Sequence, residues 1–324
     1  MNDLANWLDR QLQESAPEAV LHRSFGERHM ILRGGDVDEL QQMSWALGEA
    51  AGRASQPTVE FRILGEVLRT APLPDQNDVG PYGVVRSLEG TGWRACVEVD
   101  EGRLLAYHAA SRVALSAALI PEAPRHRSEF GRTLLHWLAT DDGNLLVHAG
   151  AVGRAGRAIL LVGPGGAGKS TFVRAAVGAG ATFLGDNAVE ISLGEGRVTA
   201  WGAYGSLKVR PPLVLPDAVA LGVPRHDAEI GKDLYDMGAY ASLGEPYEVC
   251  GLVALSADGP SELTPLGRGA ALFALGPSTM VQFPLYGPRV FDACGQLVRA
   301  LDCWSLGRLD TVDDHGEILE KLLR

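Results

Sequence analysis

The stretch GPGGAGKST, residues 163–171, holds residues whose types and spacing suit phosphate chemistry. It fills the pattern G-x-x-x-x-G-K-[ST] with Gly163, Gly168, Lys169 and Ser170. Glycines let successive backbone N–H groups converge on phosphate oxygens, the lysine adds positive charge near the terminal phosphates, and the serine hydroxyl can complete a magnesium shell. The other loop residues expected to contact the nucleotide are Gly165, Gly166 and Thr171.

The sequence around this loop supports the same prediction. The run AILLV (158–162) predicts a buried strand that enters the loop, and STFVRAAVGAG (170–180) predicts a helix that ends at glycine. The N-terminus of that helix would face the bound phosphates. The alternative is an ordinary glycine-rich turn between a strand and a helix.

Many P-loop enzymes use an acidic residue at the end of another buried strand to hold magnesium. Two residues could fill this role, Asp186 in ATFLGDNAVEI and Asp258 after VCGLVALSAD. The short separation in sequence between Ser170 and Asp186 favours Asp186. We expect the strand that ends at Asp186 to pair directly with the loop strand. Asp258 fits a hairpin turn equally well. Glu190 is expected on an exposed strand face and is a weaker metal candidate.

Composition limits the function classes. The chain has 324 residues, 46% hydrophobic and 21% charged, which is typical of a folded protein with room for two domains. A net charge of −11 argues against a nucleic-acid partner. The four cysteines lack zinc-site spacing. The N-terminus does not resemble a signal peptide and the sequence offers no apolar span, so we expect a cytoplasmic protein with no membrane partner.

The first part of the chain predicts a small α+β domain, residues 1–125. Two helical stripes are present, in MNDLANWLDRQLQESA and in residues 36–54, which begin with Asp36 as a cap. Short runs separated by turns predict a sheet: VEFRIL, YGVVRSL, WRACVEVD and RLLAYHA. The proline-containing stretch IPEAPRHR (120–127) predicts the boundary to a second domain, residues 126–324.

The second domain begins with a predicted helix (128–140), a strand, LLVHAGAV (145–152), and the turn GRAGR. The turn is followed by the loop strand, GPGGAGKST, a short helix and FLGDNAVEI. This order of elements resembles the kinase core of the HPr kinase/phosphorylase family. It is similar especially to the HPr-kinase-like proteins encoded with ribosomally made peptides such as lasso peptides. KVRPPLVLP (208–216), GKDLYDM (231–237) and the segment EVCGLVALSADGPSELTPLGRGAALFAL extend the resemblance over about residues 128–324.

The resemblance implies an α/β fold, with a phosphoenolpyruvate-carboxykinase-like P-loop core of mixed sheet and flanking helices behind the smaller α+β domain. It implies ATP and Mg²⁺ as cofactors and phosphoryl transfer to a serine of a precursor peptide or small protein. Relatives in this family assemble into oligomers, so a homo-oligomer is expected.

Carried onto this sequence, the family pattern gives His148 and Asp186 catalytic positions, and Asp186 could accept the proton of an attacking hydroxyl. Ser170 and Asn187 stand at the metal positions. Where Asn187 stands, the family usually has a second aspartate, and its Glu-x-Arg-Gly signature is absent here. Three basic residues could neutralise the transferring phosphoryl group and contact the nucleotide: Lys208, Arg210 and Lys232.

Two functions therefore remain open. One is an ATP-dependent serine kinase for which the N-terminal domain recognises the substrate. The other is a catalytically weakened protein that holds a ribosomal precursor peptide for other enzymes, with the peptide added as a strand to the N-terminal sheet. An ordinary GTPase or transport ATPase is disfavoured, because the sequence has no N-K-x-D or L-S-G-G-Q-like motif.

Overall fold

The computed structural model describes residues 3–49, 58–66, 71–75, 77–80, 83–99, 102–120, 129–194, 196–211, 224–227, 231–282, 287–309 and 311–324. Within these ranges the chain forms seven α-helices and three sheets. The chain divides into two units, and each unit contains one mixed sheet. This confirms the predicted α/β class. None of the described helices is long and apolar enough to cross a membrane.

The chain divides into two units, Met1–Asp142 and Gly143–Arg324. This division lies later than the boundary predicted after residue 125, and all of IPEAPRHR except Ile120 lies outside the described residues. The helix predicted at 128–140 belongs to the first unit because its end is held there by arginines. Arg94 pairs with Asp141 at 2.7 Å, and Arg28 and Arg112 pair with Asp142 at 2.6 and 2.7 Å.

The first unit is a seven-stranded mixed sheet with three helices. Its helices are α1 Asp3–Gln13, α2 Val37–Ser44 and α3 Arg132–Asp141. Its strands are β1 Ala19–Phe25, β2 Arg28–Gly34, β3 Gly48–Glu49, β4 Thr58–Glu66, β5 Trp93–Glu98, β6 Arg103–His108 and β7 Val113–Ala118. The strand order is β3-β1-β2-β4-β7-β6-β5, in which β4 runs parallel to both of its neighbours.

Two predictions for this unit differ from the structure. The helix predicted over 36–54 begins as expected, since the Asp36 side chain accepts a hydrogen bond from the Asp38 N–H. It ends at Ser44, because the chain then turns and enters β3, which pairs with β1. Within the run YGVVRSL, Tyr82 lies outside the described residues, Val84 and Val85 form isolated bridges, and Arg86–Leu88 forms a 3-10 turn.

The second unit contains a nine-stranded and a three-stranded sheet. The strands of the larger sheet are β8 Leu145–Val147, β9 Gly150–Arg154, β10 Arg157–Val162, β11 Thr182–Gly185, β12 Val189–Gly194, β13 Arg197–Gly202, β17 Tyr247–Leu255, β18 Thr264–Pro265 and β19 Asp302–Leu306. Those of the smaller sheet are β14 Ser206–Val209, β15 Arg225–Asp227 and β16 Lys232–Asp236. The helices are α4 Lys169–Gly178, α5 Arg268–Gln282, α6 Gly287–Ala300 and α7 Val312–Leu323.

The main path of the large sheet is β11-β9-β10-β17-β13-β12-β8, and β19 pairs with β17 and β18. Both faces are buried, which explains why β10 is apolar from Ala158 to Val162. Ala158, Leu160 and Val162 pack in a cluster with residues of α5 and α6, whereas Ile159 and Leu161 pack in a second cluster with residues of α4 and α7. This packing fixes the strand that leads into the glycine loop.

The strand predicted to carry Asp186 does not pair with the loop strand; β11 pairs with β9. The reason is the turn between β9 and β10. Ala155 and Gly156 have φ values of 51° and 78°, as in a two-residue type I′ turn, so β9 folds back and occupies one edge of β10. The other edge of β10 pairs with the parallel strand β17.

A buried histidine of α3 makes the stability of the first unit depend on pH. Burial, with a smaller effect of Arg94, lowers the pKa of His136 from 6.5 to about 3. The unfolded chain therefore binds a proton below pH 6.5 that the folded chain does not, and stability falls as the pH falls towards 3. Between pH 7 and pH 5 this histidine should reduce the free energy of unfolding by about 2 kcal/mol.

Urea unfolding of the wild type and of His136→Gln at several pH values measures this effect. The variant should lose that part of the pH slope, whatever its stability at pH 7. Equal slopes in the two proteins would show that His136 is not the responsible group.

Candidate functional site

The glycine loop connects β10 to α4 through backbone conformations that require glycine. Gly163, Gly166 and Gly168 have φ values of 138°, 86° and 105°. At Gly163 an added Cβ would lie 2.6 Å from the carbonyl oxygen of Leu255, at the end of β17. The structure thus contains the predicted strand, loop and helix, and close approach to the neighbouring strand fixes where the loop begins.

Lys169 folds back over this loop. Its Nζ donates to the carbonyl oxygens of Gly163 and Pro164, at 2.8 and 3.3 Å. Burial lowers the pKa of Lys169, Lys232 lowers it further, and Asp186 acts in the opposite direction. The ammonium group is therefore a buried positive charge placed beside the loop backbone.

Asp186 is a buried carboxylate that joins three parts of the unit. The Ser170 hydroxyl donates to it, with its Oγ 3.1 and 2.9 Å from the two carboxylate oxygens. The backbone N–H of Lys208, on β14, donates to Oδ2 at 3.2 Å. Burial raises the pKa of Asp186, while these hydrogen bonds and the nearby lysines oppose the shift. A carboxylate of raised pKa is a stronger base than an exposed one.

The acid lies where a two-stranded ladder is interrupted. Val147 pairs with Val189, and Ala151 pairs with Gly185 in the same register. Between these two pairs, residues 148–150 of one segment do not pair with residues 186–188 of the other. The predicted strand LLVHAGAV is consequently two strands, because Ala149 N–H donates to the Val147 carbonyl at 3.1 Å in a tight turn centred on His148.

Asn187 lies in this interruption with a φ of 74°. Asparagine and aspartate are among the non-glycine residues that best tolerate this left-handed region. The backbone conformation therefore does not explain why asparagine stands here in place of a second carboxylate.

Most of the predicted site residues line one cavity of about 410 Å³. It is lined by His148, Gly165, Gly166, Gly168, Lys169, Ser170, Thr171, Asn187, Lys208, Val209, Arg210 and Lys232. The two remaining predicted residues contact this set: Asp186 accepts from Ser170, and the Gly163 carbonyl accepts from Lys169. The structure thus brings together residues that lie far apart in the sequence.

The weaker acidic candidates lie elsewhere. Asp258 is exposed in the turn after β17. Glu190 is fully buried, contrary to its expected exposure, because Asn144 Nδ2 donates to its Oε1 at 2.6 Å. Neither residue lines the cavity.

The sequence analysis did not identify Thr279 of α5. Its Oγ1 accepts a hydrogen bond from the backbone N–H of His148 at 3.1 Å. The two residues are 131 positions apart, and no local motif marks Thr279.

The oxygen donors at the site fit magnesium. Ser170 and Asn187 line the cavity, and Asp186 is hydrogen-bonded to Ser170; hydroxyl, amide and carboxylate oxygens suit this ion. Within the described ranges, no group of three or more His, Cys, Asp or Glu residues could hold a metal. A magnesium ion here would therefore depend on substrate phosphates and water for its remaining ligands.

The strand, glycine loop and helix, with a buried acid beside the loop serine, have the form of a P-loop site. No family model matches the chain, and no curated protein matches it. The HPr(Ser) kinase/phosphatase from Coxiella burnetii is a structural match with 11% sequence identity and a TM-score of 0.28, covering 55% of this chain and 93% of that one. A score this low carries no argument, so the proposals below rest on this chain's own residues.

Two glycine substitutions test the loop geometry in the protein without nucleotide. Gly163→Ala should lower the free energy of unfolding by about 1–3 kcal/mol, because its φ is positive and the new Cβ meets the Leu255 carbonyl. Gly165→Ala is the matched control, since an added Cβ there meets nothing within 4 Å. Thermal or urea unfolding gives both values, and equal stabilities would contradict the close approach.

Proposed function

We propose that the second unit binds ATP with magnesium in this cavity and transfers the γ-phosphoryl group to a serine hydroxyl. The observation that carries the proposal is the buried Asp186 carboxylate, bonded to the loop residue Ser170 next to a cavity lined by four basic side chains. Magnesium bound with the nucleotide would neutralise phosphate charge during transfer.

Nucleotide binding is assigned to the loop and its basic neighbours. The backbone N–H groups of the loop and the N-terminus of α4 favour phosphate oxygens. Lys169 exchanges its loop carbonyl acceptors for the terminal phosphates, and Lys208 and Lys232 line the same space from the small sheet. Arg210 is the exposed member of the basic set and would contact phosphate or substrate at the cavity entrance.

In the transfer step a bond forms between the serine oxygen and the γ-phosphorus, and the bond from that phosphorus to the β,γ-bridging oxygen breaks. ADP leaves with the bridging oxygen. The proton of the serine hydroxyl passes to Asp186, which burial makes more basic. His148, which lines the cavity, orients the reacting phosphate.

The proposed acceptor is a serine of a precursor peptide or small protein, made for peptide natural-product biosynthesis, with the first unit contributing recognition. Homo-oligomer formation and a cytoplasmic location belong to the same proposal. The acceptor and the oligomer rest on the resemblance of the sequence to the HPr kinase/phosphorylase family.

Asn187 favours a second candidate function. An amide in place of a second carboxylate removes one negative charge from the set of groups available to a divalent ion. The chain would then be a weakened or inactive kinase-like protein that holds a ribosomal precursor peptide for other enzymes. Its peptide complex would form without magnesium or ATP.

Two substitutions test the kinase proposal. Lys169→Ala should lower phosphoryl transfer by about 100-fold or more, because it removes the charge beside the terminal phosphates. Asp186→Asn should lower turnover by about 10²–10⁴-fold, the range for loss of a general base, while ATP still binds. Mass spectrometry of the incubated precursor peptide measures transfer, and calorimetry measures ATP binding.

Asp258→Asn is the matched control, since it removes the exposed carboxylate outside the cavity and should leave transfer unchanged. Transfer that survives Asp186→Asn would remove Asp186 from the role of base. Tight peptide binding by a wild-type protein that neither binds ATP nor transfers phosphate would establish the second function.

The substitution Asn187→Asp tests the missing charge. Aspartate tolerates the left-handed backbone at this position, so the fold should be retained. The affinity for ATP with magnesium should rise about fivefold, corresponding to about 1 kcal/mol for a partly exposed charge contact. With EDTA in place of magnesium the affinity should not rise, because the added carboxylate repels phosphate. A similar increase under both conditions would contradict a metal-linked effect.

A further inference from the structure

Thr279 lies on α5, away in the sequence from every motif of the site. Its side chain is fully buried, and its Oγ1 accepts the hydrogen of the His148 backbone N–H at 3.1 Å. Threonine hydroxyls inside helices commonly bond to a carbonyl of their own helix. The Thr279 hydroxyl bonds instead to the residue that follows β8, and so connects the helix to the end of the strand.

The bond is made at the bend that the ladder interruption creates. The Ala149 N–H donates to the Val147 carbonyl, so the chain turns sharply at His148 and leaves the pairing with β12. A buried backbone N–H outside a ladder must find another acceptor to avoid a large desolvation cost. Thr279 supplies that acceptor, and the bend is thereby attached to a helix packed in the core.

The hydrogen bond from His148 to Thr279 affects the cavity because His148 lines it together with Lys169, Ser170 and Asn187. A change in the backbone direction at a bend moves the attached side chain by a comparable angle. The Thr279 hydroxyl holds the His148 backbone N–H, and the position of the imidazole depends on that backbone.

We propose that Thr279 is a positioning residue that holds His148 at its place in the phosphate cavity. The catalytic part of this proposal rests on the phosphoryl transfer proposed above, whereas the positioning part does not.

The positioning part is tested by NMR of protein carrying ¹³C-labelled histidine, with the His148 signal assigned by its loss in His148→Gln. Thr279→Val keeps the shape of the side chain and removes the acceptor. It should shift the His148 ring signal and alter its response to ADP with magnesium. Thr279→Ser restores the acceptor and should restore both properties.

Ser278→Ala provides the matched control. Ser278 is the neighbouring hydroxyl on the same helix, and its Oγ bonds within the helix to the Leu275 carbonyl at 3.3 Å. Its removal should leave the His148 signal in place. A His148 signal that is the same in wild type and Thr279→Val, or that moves equally in Ser278→Ala, overturns the proposal.

The catalytic part is tested by turnover in a double-mutant cycle. Thr279→Val should lower kcat by about ten- to a hundredfold, with the Kd for ATP changed by less than about threefold, because misplacing a reacting group affects the transition state most. In a His148→Gln background the same substitution should have little further effect. Equal losses in both backgrounds would show that Thr279 acts on the fold and not through His148.

Failure of the two proposals can be told apart. If the wild type transfers no phosphate, the proposed function fails, and the NMR comparison still decides whether Thr279 positions His148. If transfer occurs and the His148 signal is unchanged in Thr279→Val, the positioning proposal fails and the kinase proposal stands.

Discussion

The buried Asp186 carboxylate is the interaction on which the site depends. Asp186 is only 2% exposed, and its carboxylate accepts hydrogen bonds from the Ser170 hydroxyl and the Lys208 backbone N–H. A buried charge of this kind is stable only when hydrogen bonds and opposite charges surround it. The glycine loop, the strand β11 and the small sheet must therefore meet at one point. The same burial raises the pKa of Asp186, while its hydrogen bonds and the nearby lysines oppose the shift.

The interrupted ladder explains how such a polar group can exist inside an apolar unit. On both sides of the interruption the strands are buried, with Val147 and Val189 at one end and Val152 and Phe183 at the other. A continuous ladder would use the backbone groups between these two ends for pairing. Where the ladder stops, the backbone can turn, and His148 and Asn187 come to line the cavity. The core fixes the ends of the gap, and the gap supplies the polar groups.

Local patterns predicted those parts of the site that depend on local structure. The loop glycines, Lys169 and the apolar residues 158–162 of β10 follow from neighbouring residues, and the short sequence spacing favoured Asp186, which is hydrogen-bonded to Ser170, over the exposed Asp258. Pairing across the sheet is not local, so the break at His148 and the pairing of β11 with β9 were missed. Strand alternation predicted Glu190 on an exposed face, and it could not show the hydrogen bond from Asn144, 46 positions away, that the buried carboxylate accepts. Thr279 is hydrogen-bonded to a residue 131 positions away, which no motif reveals.

The charges of the cavity favour an anionic ligand under either proposed function. The whole chain carries a net charge of −11, yet four basic side chains line one space of about 410 Å³. Burial lowers the pKa of Lys169 and repulsion by the like charge of Lys232 lowers it further, while Asp186 acts in the opposite direction. Binding of phosphate would offset that repulsion, so the ligand gains affinity from a cost already present in the fold. The two proposed functions differ in how they use this charge: phosphoryl transfer requires ATP with magnesium in the cavity, whereas the peptide complex of the second function forms without either.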